Sequence, residues 1–184
     1  MTMQADRQRV VDALLEGAVD LHCHSGPSIM ERKLDHIEQI RDAEAAGAQG
    51  VLVTDLPVGS DPPLEAKFRS SALDLIRLIA PTTRPERVRE IVADAGGFIY
   101  YVSRTGVTGA REELTTSLRE EVAAVRAASD LPVAVGFGIS TPEQAAAVAR
   151  LADGVVVGSA VVDRLARTGI EETAKFVAEL RAAM

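Results

Sequence analysis

Two short apolar runs near the end of the chain, each leading into a turn of small residues, restrict the fold most strongly. The run Val133-Ala134-Val135 leads into Gly136-Phe137-Gly138-Ile139-Ser140, and Val155-Val156-Val157 leads into Gly158-Ser159-Ala160. A helical pattern follows each turn. Runs of β-branched residues that alternate with helices indicate parallel strands buried on both faces, so an α/β fold is expected.

The same alternation continues along the whole sequence. Six apolar runs are predicted as strands, at residues 19–22, 51–53, 75–79, 98–102, 133–135 and 155–157. Strict alternation with short connections gives parallel strands and right-handed crossovers. An open doubly wound sheet and a β/α barrel both fit, although a complete eight-stranded barrel usually needs about 250 residues and this chain has 184. Because no linker-like segment divides the sequence, we predict a single domain over residues 1–184.

The composition restricts the classes of partner. A net charge of −7 and a pI of about 5.0 argue against non-specific binding to nucleic acid or to an anionic membrane. The single cysteine, Cys23, excludes an intrachain disulfide and fits a reducing compartment. No apolar run approaches the roughly 20 residues of a membrane span, and the N-terminus lacks a signal-peptide pattern. We therefore expect a cytoplasmic protein.

The small-residue turns after the last two predicted strands indicate an anion site. Glycines at strand ends expose backbone N–H groups, and the helices behind them add the positive ends of their dipoles. In a β/α barrel, phosphate is most often bound by the loops after the last two strands. The alternative is that these are merely tight turns in which only glycine fits.

Three alternating polar residues on the first predicted strand suggest metal binding. Asp20, His22 and His24 would point to the same side of a strand. The other histidine, His36, lies on a predicted helix, and Asp55 is the best remaining oxygen ligand. An active zinc site requires three protein ligands and an open position. We therefore expect at most weak divalent-metal binding at His22 and His24 and predict no certain cofactor; the alternative is a pair of histidines without metal.

Two charged residues in or beside predicted strands need an explanation. Asp55 follows the second strand, where a carboxylate would be placed to act as a general base. It is the candidate catalytic residue, although a solvated aspartate that caps the following turn is the preferred interpretation. Arg77 interrupts the apolar run at 75–79. On a buried strand it would need a route to solvent or a partner, such as a carboxylate inside the barrel.

From about Gly47 to the C-terminus, the sequence resembles the tryptophan synthase alpha subunit, a β/α-barrel enzyme. The matching segments are GVLVTDLPVG, LIAPTT, GFIYYVSRTGVTGA, LPVAVGFGIS and ADGVVVGSAVV. They are similar to strands four to eight of that family, in the family's order. The resemblance implies a TIM-barrel-like (β/α) architecture with about six parallel strands, smaller than a complete eight-fold barrel. In that family the barrel cleaves indole-3-glycerol phosphate to indole and glyceraldehyde 3-phosphate.

The resemblance also implies a set of ligand-binding residues. Backbone N–H groups that match the family's phosphate site belong to Gly109, Gly138, Gly158 and Ser159. Tyr100 matches an aromatic residue near the indole, and the loop SRTGVTGA matches the lid, with Thr108 at the position that orders it. Phe137 completes the expected ligand-binding residues.

The beginning of the chain departs from this pattern. The catalytic Glu and Asp of the family lie on its second strand and the following loop, and no segment of this sequence matches that region. Residues 1–46, with GAVDLHCHSGPS and RKLDHIEQIRDAEAAGAQGV, instead resemble amidohydrolase-like metal-dependent hydrolases. The sequence thus predicts a junction near residues 47–53, between segments 1–46 and 47–184. An engineered chimera is the leading explanation, and a natural degenerate paralogue is the other.

Three functional hypotheses follow. The first is a phosphate-binding barrel-like protein whose ligand is phosphate or a sugar phosphate, with little or no lyase activity. The second is a metal-dependent hydrolase that uses the His22 and His24 pair. The third is a chimeric scaffold without enzymatic function. Because exposed parallel edge strands favour association, a homo-oligomer is an alternative to a monomer.

Overall fold

Five parallel strands and six helices make up the described part of the chain. The computed structural model describes residues 36–45, 47–103, 111–136 and 138–184. The strands are β1 (Gly50–Leu52), β2 (Asp74–Ile79), β3 (Ile99–Val102), β4 (Val133–Gly136) and β5 (Gly154–Val156). The helices are α1 (His36–Ala45), α2 (Pro62–Ser70), α3 (Pro85–Ala93), α4 (Arg111–Arg126), α5 (Pro142–Ala149) and α6 (Ser159–Ala183).

The strands form one sheet in sequence order, β1-β2-β3-β4-β5, and every neighbouring pair is parallel. The sheet curls into a half-barrel, which confirms the TIM-barrel-like α/β class. These five strands correspond to the last five of the six predicted ones. The predicted strand at 19–22 lies outside the described residues.

Helix starts follow from local capping chemistry. The Asp61 side chain accepts a hydrogen bond from the Leu64 N–H at 3.1 Å and caps α2. Helix α5 begins with a capping box, in which Thr141 and Gln144 each satisfy the other's backbone N–H. Prolines occupy the first turns of α2, α3 and α5, where a missing N–H costs nothing. Helix α6 kinks at Gly169, whose φ of 80° favours glycine.

The core lies between the sheet and the helices. One cluster joins β3 and β4 to α4, α5 and α6, with Ile99, Val133 and Val135 completely buried. A second cluster joins β1 and β2 to α1 and α2 and includes Phe68. Strand residues of opposite parity face the other side of the sheet, where Leu52 and Ile76 are buried and Tyr100 is half-buried. The two hydrophobic clusters lie on the helix-facing side.

Arg77 lies in this helix-facing core with only 4% of its surface exposed. Its guanidinium forms an ion pair with the Asp94 carboxylate, to which Nε donates a hydrogen bond at 3.1 Å. Nη1 donates a second hydrogen bond to the Leu56 carbonyl at 2.7 Å. Asp94 ends α3, so the expected partner lies on the helix side of the sheet, not inside the barrel. Glu65 lies 3.9 Å from Arg77 and accepts the Gly59 N–H at 2.7 Å. Arg77 and Glu65 together fix the loop that follows β1.

The Asp94 carboxyl is perturbed by this arrangement. Burial alone would raise its pKa, but hydrogen bonds and charge from Arg77 and Arg69 outweigh burial and hold the pKa below its usual value of 3.8. The ionised form is therefore the one that the folded state stabilises. The contribution of the ionised Asp94 carboxyl to the free energy of unfolding is fully present above pH 3.8. It is lost as the pH falls through the lower pKa that this carboxyl has in the folded state.

We predict that Asp94→Ala lowers the free energy of unfolding by about 3–5 kcal/mol, because it leaves the Arg77 charge buried without its partner. The matched control is Glu90→Ala, which removes one member of the exposed Arg87–Glu90 pair and should cost less than about 1 kcal/mol. Denaturant unfolding at pH 7 and at pH 3 measures both variants. A loss of unfolding free energy in Asp94→Ala that equals the loss in Glu90→Ala would contradict this account. So would a loss in Asp94→Ala that is as large at pH 3 as at pH 7.

Candidate functional site

Two glycine turns lie at the carboxyl ends of β4 and β5. Gly138 follows β4, is exposed, and has a φ of 73°, so its turn requires glycine on conformational grounds alone. Gly158 follows β5 and is the N-cap residue of α6. Because β4 and β5 are adjacent and parallel, both turns lie at the same edge of the sheet.

Gly158 does not have the left-handed backbone that favours glycine, because its φ is −105° and its ψ is −84°. A Cβ built there would meet no atom within 4 Å. The space beside this backbone is therefore open. Val161 and Val162 donate their N–H groups to the Gly158 carbonyl at 2.9 and 3.1 Å. The amides that precede them, led by Ser159, are in the first turn, where N–H groups have no intrahelical acceptor and the helix dipole favours an anion.

The turn after β4 is held from behind by α5. The Ser140 N–H donates to Gln144 Oε1 at 2.7 Å, and the Thr141 N–H donates to the same oxygen at 3.2 Å. These two amides are thus committed to the helix cap. Gly138, the predicted anion-binding residue of this turn, precedes the two residues that form the cap.

Asp153 fixes β5 beside β4. Its Oδ2 accepts the Val133 N–H at 2.9 Å, and its Oδ1 lies 2.7 Å from Arg126 Nη2 on α4. The hydrogen bond from Val133 and then that from Arg126 lower the pKa of Asp153. The Asp153 N–H also donates to the Val133 carbonyl at 2.9 Å. These contacts set the register that brings the two turns together. Asp153 belongs to no sequence motif of the predicted site, because it lies at the opposite ends of the strands.

Tyr100 occupies the inner side of the sheet, between the strand ends and the barrel axis. A Cβ at Gly136 would lie 2.6 Å from the Tyr100 Oη and 2.8 Å from the Val156 Cβ. The ring therefore passes directly over β4 toward β5 and depends on the absence of a side chain at Gly136. Burial raises the pKa of the Tyr100 phenol, so this group is a neutral donor at pH 7.

Asp55 does not join the glycine turns. It is exposed at the end of β1, and three strands lie between β1 and β5 in the sheet order. Its predicted role as a base remains a prediction.

Several predicted site residues lie outside the described part of the chain: Asp20, His22, His24, Thr108, Gly109 and Phe137. Within the described ranges, no group of three or more His, Cys, Asp or Glu side chains is arranged to hold a metal ion. The same ranges contain no helix with the length and hydrophobicity to cross a membrane.

Comparison with known proteins identifies a family. Residues 28–184 match the family model described as tryptophan synthase alpha chain. The tryptophan synthase alpha chain of Geobacter sulfurreducens is 52% identical over 151 residues, covering 78% of this chain and 56% of the relative. That of Acidiphilium cryptum is 51% identical over 125 residues, covering 68% of this chain and 45% of the relative. The chain thus spans about half the length of these curated relatives.

Solved structures give the same likeness. A Mycobacterium tuberculosis tryptophan synthase structure matches with a TM-score of 0.69 and 36% identity, over 79% of this chain and 54% of the other. Tryptophan synthase subunit alpha from Campylobacter jejuni matches with a TM-score of 0.71 and 29% identity, over 78% of this chain and 58% of the other. The half-barrel therefore corresponds to about half of each of these chains.

The match corrects one expectation. It begins at residue 28 and so includes residues 28–46, whose sequence suggested a metal-dependent hydrolase. The same family model continues across the predicted junction near residues 47–53 and gives that junction no support. Neither a hydrolase-like segment nor a chimera is supported.

We predict that Asp153→Ala lowers the free energy of unfolding by about 1–3 kcal/mol, because the Val133 N–H loses its side-chain acceptor. The matched control is Asp163→Ala, which removes another exposed aspartate–arginine pair, with Arg167, but holds no strand amide. Denaturant unfolding should place the control within about 0.5 kcal/mol of wild type. Equal losses of unfolding free energy in the two variants would show that the hydrogen bond from the Val133 N–H to Asp153 does not stabilise the fold.

Proposed function

Because the chain belongs to the tryptophan synthase alpha chain family, we propose that it binds phosphate, or the phosphate group of a sugar phosphate, between the turns after β4 and β5. The observation that carries this proposal is Gly158, a glycine that neither its φ nor its packing requires. A missing side chain there leaves room for an anion to approach the backbone. Gly138 and Ser159 would supply further N–H groups.

Electrostatics support this location. A phosphate at the start of α6 would lie at the positive end of a helix dipole and accept the N–H groups of the first turn. Binding of this kind needs no catalytic base. It depends on the relative position of two adjacent strand ends, which the Asp153 contacts maintain. Tyr100 would form the neighbouring inner wall.

We also propose that the chain alone has little or no lyase activity. The resemblance implies that the family's catalytic Glu and Asp precede the region that is similar here. Asp55 is the candidate base within the described part, and three strands separate β1, which it follows, from β5. The chain would therefore hold the phosphate of a substrate without the groups that cleave it. As in a biosynthetic family, we expect the protein to be cytoplasmic.

A hydrolase based on Asp20, His22 and His24 is not proposed. Those residues lie outside the described part of the chain, and the family assignment gives no support for that chemistry. Association into a homo-oligomer remains a prediction from the edge strands.

Phosphate binding can be separated from folding by two glycine substitutions. We expect Gly158→Ala to leave the melting temperature unchanged and to weaken glycerol 3-phosphate binding at least about tenfold, a loss of about 1.4 kcal/mol, because the new methyl group occupies the open space. Gly136→Ala, whose Cβ would contact the Tyr100 ring, should instead lower the melting temperature. Calorimetric titration and thermal unfolding measure the two effects. Undiminished binding by folded Gly158→Ala would exclude the proposed site.

Catalysis is tested by indole release from indole-3-glycerol phosphate. We predict no release above the rate without protein, because no segment of this sequence resembles the region that carries the family's acid–base pair. If slow turnover occurs, Asp55→Ala should abolish it while leaving glycerol 3-phosphate binding intact. Turnover at the rate of a full-length family member measured in parallel would contradict this proposal.

A further inference from the structure

A second cavity opens where β1 and β2 separate. Their pairing ends at Leu52 and Ile76, while β2 continues beside β3 to Ile79. The loop after β1 and the start of α3 enclose a cavity of about 500 Å³ in the resulting gap. This β1–β2 cavity is lined by Val53, Thr54, Leu56, Pro57, Val58, Ile76, Arg77, Leu78, Thr82, Thr83, Arg84, Arg87 and Ile91. Its volume is within the range typical of small-molecule sites.

The lining of the β1–β2 cavity is positive. Three arginines line it and no acidic residue does, although the chain carries a net charge of −7. Arg77 is neutralised by Asp94, and Arg87 pairs with Glu90 while donating to the Val58 carbonyl at 2.6 Å. Arg84 is exposed and makes no ion pair with any described residue. One positive charge at the cavity is therefore uncompensated within the described part of the chain.

The walls of the cavity are mainly apolar. Most of the lining side chains other than the arginines and threonines are aliphatic, including Leu56, Ile76 and Ile91. Thr54 also lines the cavity, but its Oγ1 is fully buried and makes no hydrogen bond with a described residue. A cavity with apolar walls and one uncompensated charge is suited to an amphipathic ligand.

We propose that the β1–β2 cavity binds a small organic monoanion, a carboxylate with a compact apolar body. Arg84 would pair with the carboxylate, whose planar shape matches a guanidinium. The aliphatic side chains of the lining would bury the apolar body. A monoanion is favoured over a phosphate dianion because only one arginine is uncompensated. The site is independent of the proposed phosphate site, because it lies at the strand ends of β1 and β2.

The test uses the full chain with benzoate as the probe and benzamide as its neutral counterpart. Calorimetric titration should show saturable benzoate binding, at least about tenfold tighter than benzamide. Saturating glycerol 3-phosphate should not displace benzoate. No saturable binding, equal binding of benzamide, or competition by glycerol 3-phosphate would each overturn the proposal.

Substitutions locate the binding. Arg84→Gln should weaken benzoate binding about tenfold, whereas Arg89→Gln, which removes an exposed arginine of the same helix outside the cavity lining, should not. Thr54→Val, which keeps the side-chain shape, should raise the melting temperature, because it removes the unsatisfied hydroxyl, and should leave benzoate affinity unchanged. Benzoate affinity unchanged in Arg84→Gln would place the ligand elsewhere.

Discussion

The parallel register of β4 and β5 is the constraint on which the proposed function depends. It brings the Gly138 and Gly158 turns to the same edge of the sheet. Asp153 holds that register from the opposite end, since one carboxylate accepts the Val133 N–H and pairs with Arg126. A residue remote from the proposed anion site thus helps to fix the relative position of the two turns.

The other end of the sheet is organised by a buried charge. Arg77 is retained in the core because Asp94 neutralises it and because the Leu56 carbonyl uses one of its remaining donors. Glu65 then holds the Gly59 amide, so the loop after β1 is fixed at several points. This loop forms one wall of the β1–β2 cavity. At both ends of the half-barrel, ion pairs therefore help to fix the loops that line the proposed ligand sites.

Much of the fold was readable from the sequence, because each strand is a β-branched run between helical patterns, and β2 was predicted to within one residue. The long-range partners of charged side chains could not be predicted from the sequence. Arg77 was expected to need a carboxylate, but Asp94 lies 17 positions later on another element, and no local pattern identifies it. The hydrolase-like interpretation of residues 1–46 relied on a short run of residue types and is not supported, since the family match includes residues 28–46.

The central claim is that the turns after β4 and β5 bind phosphate through their backbone. Titration of the ¹⁵N-labelled chain with glycerol 3-phosphate, followed by amide NMR shifts, tests it directly. Saturable shifts are predicted for the amides of Gly138, Gly158 and Ser159, and sodium chloride at equal ionic strength should not reproduce them. Saturable shifts confined to other amides, or no shifts beyond those caused by salt, would contradict the account.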